Sequence, residues 1–143
     1  MSIPAILLPL FVQVALTFAL LMWTGSRRLR AVRSGEVHPR EVSMGERCWP
    51  GPVQQVSNAF CNQFEVPVLF YLLVILALLT RKADLLFVVL SWAFVLSRFA
   101  HAAVYVTTNH VPHRFAAFLA GVLVLMVMWT VFAVRILSGP WPA

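Results

Sequence analysis

Charged residues are scarce in this chain of 143 residues, at 11%, and acidic residues number only five against eleven Lys and Arg. A soluble domain carries about a quarter charged residues. Hydrophobic residues instead make up 61% of the chain. This balance excludes an ordinary soluble domain and predicts that lipid surrounds most of the chain.

Cysteine is also rare, since Cys48 and Cys61 are the only two. Two cysteines do not make a disulfide framework, and neither stands at zinc-ligand spacing from another Cys or His. The sequence has no Gly-rich nucleotide loop and no His-Glu metalloprotease motif. We therefore expect no metal site and none of these soluble-enzyme chemistries.

Four long apolar runs dominate the sequence, and each has roughly the 20 residues that cross a hydrocarbon core of about 30 Å. None alternates with a two-residue period, which argues against barrel strands. The runs predict four helices, over residues 3–23, 53–80, 83–106 and 114–137. We expect one all-α membrane domain spanning 1–143, an up-down bundle of four transmembrane helices. The short RKAD connection predicts a tight hairpin that places Asp84 at the next helix N-terminus.

The connection over residues 25–52 is the one long polar stretch, and it is basic. Its arginines are Arg27, Arg28, Arg30, Arg33, Arg40 and Arg47. Arginine bias places the first and third connections inside and both termini outside, as in a multi-pass protein of a bacterial inner membrane. Contact with anionic lipid headgroups explains the charge, whereas no aromatic-interleaved soluble domain supports nucleic-acid binding.

Polar residues recur at helical spacing within two of the predicted helices. The second helix carries Gln55, Asn58, Asn62 and Glu65, and the third carries Arg98, His101 and Tyr105. Polar groups inside a membrane face the bundle interior, a cavity or a partner. Antiparallel packing could bring Glu65 within about 4 Å of Arg98, on the same or a neighbouring subunit. The alternative, that these groups only hold the helices together, remains open.

Two runs of sequence resemble a known family. ERCWPGPVQQVSNAFCNQFEVPVLFY resembles the second-helix signature of the membrane-associated proteins in eicosanoid and glutathione metabolism, the MAPEG family. Its Ala-x-x-Asn-x-x-Glu pattern is matched by Ala59, Asn62 and Glu65. LSRFAHAAVYVTTNHVPHRF resembles the third helix and the entry to the fourth in the prostaglandin E synthase branch. The chain is thus similar to a bacterial-type member closest to that branch.

The resemblance implies a homotrimer that binds glutathione between subunits at the cytoplasmic end. It implies that five residues contact the cofactor: Asn62, Glu65, Arg98, His101 and Tyr105. Glu65 would meet its free amine, and Arg114 would be the catalytic residue that stabilises the thiolate. Glutathione has two carboxylates and one ammonium, which arginines and one carboxylate complement. A cation near sulfur lowers a thiol's pKa and raises the fraction of the attacking thiolate.

The chain departs from the family pattern at several positions. Gln55 and Cys61 stand where the family often has arginines, which makes the tripeptide site less basic. Phe115 and Phe118 stand where the prostaglandin synthase branch has hydroxyl residues. These departures argue against a native role in eicosanoid chemistry and remove hydroxyl assistance at sulfur.

Two classes of function follow from the sequence. The first is a thiol-dependent transferase or peroxidase, with glutathione as cofactor, acting on lipophilic electrophiles that arrive through the bilayer. The alternative is a non-catalytic membrane protein that binds lipid or a protein partner and uses its polar residues for assembly. A small transporter is disfavoured, because a trimer without an inverted repeat does not suit alternating access.

Overall fold

The computed structural model describes residues 1–42 and 49–138, which are helical and contain no strand. The helices are α1 (Ile3–Arg33), α2 (Pro39–Val42), α3 (Gly51–Cys61), α4 (Val66–Leu79), α5 (Leu85–Val106) and α6 (Val111–Leu137). Four segments of the described chain are long and apolar enough to cross a membrane: α1, Gly51–Leu79, α5 and α6. The predicted all-α membrane fold with four spanning helices is confirmed.

Helix α1 is longer than predicted, because it continues past residue 23 to Arg33. The arginines, leucine and alanine after Gly25 are good helix formers, so the basic stretch extends the helix rather than ending it. Gly35 then adopts the left-handed φ of +73°. Its N–H donates to the Val32 carbonyl, and the Glu36 N–H donates to the Ala31 carbonyl, each over 3.1 Å. This Schellman motif ends α1.

The other predicted limits need smaller corrections. The second span begins at Gly51 rather than residue 53, α5 at Leu85 rather than 83, and α6 at Val111 rather than 114. Each of these helices begins at or next to a proline or an N-capping residue, which sets the boundary more sharply than hydropathy does. Arg47 and Cys48 of the basic connection lie outside the described residues.

The second span, which the sequence predicted as one helical segment over residues 53–80, is interrupted before Pro67. A 3₁₀ turn, Asn62–Phe64, follows α3, and Glu65 is non-helical, with φ −97° and ψ −105°. Pro67 has no N–H to continue the backbone ladder. Side-chain amides bond the carbonyls before the break: Asn62 donates to Asn58 over 2.9 Å and Gln63 to Ala59 over 3.0 Å. These bonds meet the requirement that backbone polar groups within a membrane be satisfied inside the protein.

The helices form an antiparallel bundle in which α5 and α6 make the most extensive contact, and α1 packs against α3, α4 and α5. The main core lies between α4, α5 and α6, where the Phe70 and Phe94 rings stack with centroids 4.7 Å apart. Gly121 lets α6 approach α5 closely, because a Cβ there would lie 2.5 Å from the Ser97 Oγ. Small residues allow this close packing where lipid supplies no hydrophobic driving force between helices.

A buried amide pair joins α1 to the interrupted second span. Gln13 donates from Nε2 to the Oε1 of Gln63 over 2.9 Å, and neither residue is more than 1% exposed. Interhelical hydrogen bonds within a membrane average about 0.6 kcal/mol. The pair therefore fixes the register of two helices more than it contributes stability.

The hairpin between α4 and α5 is tied to the end of α6. Asp84 lies at the N-terminus of α5, as the sequence predicted, and its Oδ1 accepts a hydrogen bond from the Phe87 N–H over 3.0 Å, which caps the helix. Its Oδ2 accepts from Arg135 over 2.7 Å, the one ion pair within residues 1–42 and 49–138. The hydrogen bond from Arg135 holds the pKa of Asp84 below its ordinary value of 3.8.

Candidate functional site

A cluster of polar and aromatic side chains lies where α5 meets the first turns of α6. Four of the six predicted site residues gather there: Arg98, His101, Tyr105 and Arg114. Residues spaced three and four apart share one face of α5. The short connection before α6 returns the chain directly onto that face, so Arg114 meets it from the opposite helix.

His101 links the two helices and is only 4% exposed. Its Nδ1 lies 3.0 Å from the carbonyl oxygen of Arg114. A carbonyl can only accept, so Nδ1 carries the hydrogen and Nε2 of the neutral ring is an acceptor. Nε2 is buried and has no hydrogen-bond partner among the described residues. The rings of Tyr105 and Phe118 flank it, each with its centroid 5.7 Å away.

Arg114 is held in place by two contacts. Its guanidinium lies over the Tyr105 ring, 4.3 Å from the centroid, and its Nη1 donates to the Asn109 Oδ1 over 2.6 Å. Asn109 adopts a left-handed φ of +49°, which Asn tolerates better than most residues. Sequence reasoning missed Asn109. The signal was an Asn just past a helix end with a proline soon after, a pattern typical of a left-handed cap.

Arg98 is fully buried, and all three of its guanidinium nitrogens lack a hydrogen-bond partner within the part of the chain that the structure describes. Its guanidinium carbon lies 5.5 Å from the centroid of the Phe118 ring. A buried cation is strongly destabilising unless acceptors or an anion surround it. Arg98 is therefore the side chain of the cluster whose charge is least compensated within one subunit.

Glu65 and Asn62 stand apart from this cluster. No ion pair forms between Glu65 and Arg98 within the subunit, because Glu65 sits at the break in the second span and is exposed whereas Arg98 is buried. The Asn62 amide is engaged by the Asn58 carbonyl. The assignment of both residues as cofactor contacts stays a prediction.

Of the residues that depart from the family pattern, three lie outside the cluster between α5 and α6 and one lies within it. Gln55 is half-buried on α3, while Cys61 and Phe115 are exposed. Phe118 belongs to the cluster, where its ring contacts both His101 and Arg98. An aromatic face attracts cations, so the Phe118 ring makes a weak cation–π contact with Arg98.

The described chain is thus an all-helical, multi-pass membrane protein with a cationic and aromatic cluster between two of its spans. The MAPEG family model matches residues 6–134, and the chain belongs to the MAPEG family. This confirms the family recognised from the two sequence runs. No curated protein and no solved structure matches the chain. Its placement near the prostaglandin E synthase branch stays a prediction.

Proposed function

We propose that the protein is a thiol-dependent membrane transferase or peroxidase that binds glutathione at the cluster of Arg98, His101, Tyr105 and Arg114. The observation that carries this proposal is Arg98, whose buried guanidinium has no partner among the described residues and lies in the same cluster as the acceptor nitrogen of His101. A molecule that supplies both an anion and a hydrogen-bond donor complements this arrangement. Membership of the MAPEG family makes glutathione the natural candidate.

The chemistry follows from the charges. A carboxylate of glutathione pairs with Arg98, and the positive charge of Arg114 favours the thiolate over the thiol. His101 accepts the proton released from sulfur. With an aryl halide, the thiolate forms a carbon–sulfur bond and the halide leaves with its electron pair. With a lipid hydroperoxide, two thiols are oxidised to a disulfide while the oxygen–oxygen bond is reduced to an alcohol and water.

A homotrimer would complete the site. Glu65 is the middle residue of the span Gly51–Leu79, yet it is exposed in one subunit. A carboxylate facing lipid is costly, so another subunit or a polar ligand is expected to cover this face. We propose that Glu65 then meets the ammonium of glutathione or an arginine across the interface. Cross-linking that captured dimers and no trimers would count against this assembly.

The orientation follows from the arginines. The arginines of the α1 extension lie at the same end of the bundle as Arg114. We propose from this arginine bias that this end is cytoplasmic and that both termini lie outside, in a bacterial inner membrane. A C-terminal phosphatase fusion should then be active and a C-terminal fluorescent fusion dark. The reverse pattern would overturn the orientation.

A non-catalytic role is favoured by one observation. Arg114 is already engaged by Asn109 and Tyr105, and His101 is bonded to the backbone of α6. These contacts would also serve a cluster that only locks two helices together. On this second account the protein binds lipid or a partner protein and has no turnover.

Isothermal titration of the purified protein with glutathione separates the two accounts. We expect binding, followed by turnover with a reactive aryl halide or a lipid hydroperoxide. Arg98→Gln should weaken binding about tenfold or more, as loss of a buried charge-assisted contact does. Arg81→Gln is the matched control, because Arg81 is an exposed arginine at the other end of the bundle. Absence of both binding and turnover at millimolar thiol would overturn the enzyme account.

A further inference from the structure

A polar groove lies between the extension of α1 and the start of α3, on different elements from the α5–α6 cluster. Its volume is about 250 Å³. Among the described residues, the charged and polar side chains that line it are Arg27, Arg30, Ser34 and Glu36, and Pro50 and Pro52 form the opposite wall. We call it the headgroup groove.

The two arginines of the headgroup groove are free to bind a ligand. Arg27 and Arg30 are three residues apart and so lie on one face of α1. Neither has a hydrogen-bond or ion-pair partner within residues 1–42 and 49–138. Arg28 faces elsewhere, since its guanidinium lies over the Trp49 ring, 5.0 Å from the centroid.

The depth of these arginines matches lipid phosphate. The apolar run of α1 ends near Trp23, and a rise of 1.5 Å per residue places Arg27 and Arg30 about 6 to 10 Å beyond it along the helix axis. The headgroup layer on each side of a bilayer is about 5 to 7 Å thick. Long arginine side chains can adjust their heads to this level.

Glu36 adds a negative charge to a groove whose other charged side chains, Arg27 and Arg30, are positive. The Schellman motif at Gly35 fixes its backbone, and Val37 packs with Ala31 and Val53 immediately after it. A carboxylate beside a bare anion site would weaken anion binding. The Glu36 carboxylate instead complements a ligand that carries a cationic group next to its phosphate.

We propose that the headgroup groove binds an aminophospholipid, with the phosphate diester on Arg27 and Arg30 and the headgroup ammonium on Glu36. Arginine binds phosphate oxygens through charge-assisted hydrogen bonds, and a carboxylate accepts them from an ammonium. The site is independent of glutathione chemistry, because its residues belong to α1 and the turn after it. The bound lipid would hold the C-terminal end of α1 at a fixed depth in the cytoplasmic leaflet.

Native mass spectrometry tests this site with phosphatidylethanolamine and phosphatidylglycerol that share the same acyl chains. Arg30→Gln should lower phosphatidylethanolamine affinity about tenfold, the loss of one charge-assisted contact. Arg33→Gln, which removes an exposed arginine of the same helix that does not line the groove, should change it by less than about twofold, as expected for a solvent-exposed charge. Glu36→Gln should lower the ratio of phosphatidylethanolamine to phosphatidylglycerol binding. Melting temperature and size-exclusion profile confirm that each variant is folded.

Other outcomes overturn the proposal. Equal effects of Arg30→Gln and Arg33→Gln would show diffuse attraction to the membrane instead of a site. A lipid ratio unchanged by Glu36→Gln would remove the ammonium contact. Displacement of the lipid by inorganic phosphate alone, with the same dependence on Arg30, would make the occupant a soluble phosphate.

Discussion

The His101 ring on α5 donates its Nδ1 hydrogen to the backbone carbonyl of Arg114 on α6 across 3.0 Å. This one bond couples two features of the cluster. It fixes the tautomer of the ring, which leaves Nε2 as the acceptor, and it anchors the turn of α6 from which the Arg114 side chain extends. His101 can therefore act both as a structural link and as a proton acceptor, and these roles can be separated.

Replacement of His101 by Asn separates the structural role of the side chain from its role as a proton acceptor. The Asn side-chain amide can still donate to the Arg114 carbonyl but has nothing in place of Nε2. We expect His101→Asn to keep the melting temperature close to the parent's and to lower turnover by about a hundredfold or more, the range of a lost acid–base group. His101→Phe, which loses both functions, should also lower the melting temperature. Full turnover by His101→Asn would exclude Nε2 as the proton acceptor.

Asn109 positions Arg114, and a glycine tests this role. Asn109→Gly removes the amide that accepts from Arg114, while glycine adopts the left-handed φ of +49° at no steric cost. We expect glutathione affinity or turnover to fall about tenfold with the fold intact. Asn109→Asp keeps an oxygen that accepts from Arg114, so its glutathione affinity or turnover should fall less. If both variants behaved like the parent, the contact with Tyr105 alone would hold Arg114.

The close approach of α5 and α6 depends on Gly121. A methyl group there would meet the Ser97 Oγ at 2.5 Å, and rotating that hydroxyl away would break its bond to the Phe94 carbonyl. Gly121→Ala should therefore cost about 1 kcal/mol of unfolding free energy, the net worth of one hydrogen bond. In a Ser97→Ala background the same change should cost almost nothing, because the Ser97 Cβ lies 3.5 Å away. Additive costs in this double-mutant cycle would contradict the assigned contact.

The Asp84–Arg135 pair predicts an acid-sensitive contribution to stability. Because the folded pKa of Asp84 lies below 3.8, the contribution is fully present above that value and is lost as the pH falls through the folded pKa. Both side chains are partly exposed, so the effect is at most about 1 kcal/mol. Asp84→Asn keeps a capping residue and removes the carboxylate. The melting temperatures of parent and variant should differ near neutral pH and converge as the pH falls below 3.8 and through the folded pKa of Asp84; a constant difference would rule out this titration.

The number of membrane spans and the face of α5 could be predicted from the sequence, because hydropathy and helical spacing are local properties. The C-terminal end of α1 could not be predicted, since the arginines after Gly25 end the apolar run without ending the helix. Four of the predicted site residues lie in one region, because α5 and α6 are neighbours in sequence and meet through a short connection. Their role in binding or catalysis stays a prediction.

The predicted Glu65–Arg98 pair does not form within the subunit, and a pair with a neighbouring subunit stays a prediction. Helical spacing places Glu65 on the same stripe as Asn62 only if the helix is continuous. The backbone leaves the helical conformation at Glu65, before Pro67, and Glu65 is exposed while Arg98 is fully buried. Asn109 was missed because its role depends on a backbone conformation and on a contact between a turn and a helix.

The ultraviolet absorbance of protein-bound glutathione tests the central claim most directly, because the thiolate absorbs where the thiol does not. A free thiol has a pKa of about 8.5, so at pH 7 only a few per cent is thiolate in water. The proposed site predicts a thiolate band on addition of glutathione to the parent protein at pH 7, and its loss in Arg114→Ala although the variant remains assembled. Bound glutathione without a thiolate band, or a band that persists in Arg114→Ala, would contradict the assignment of Arg114 as the residue that activates the thiol.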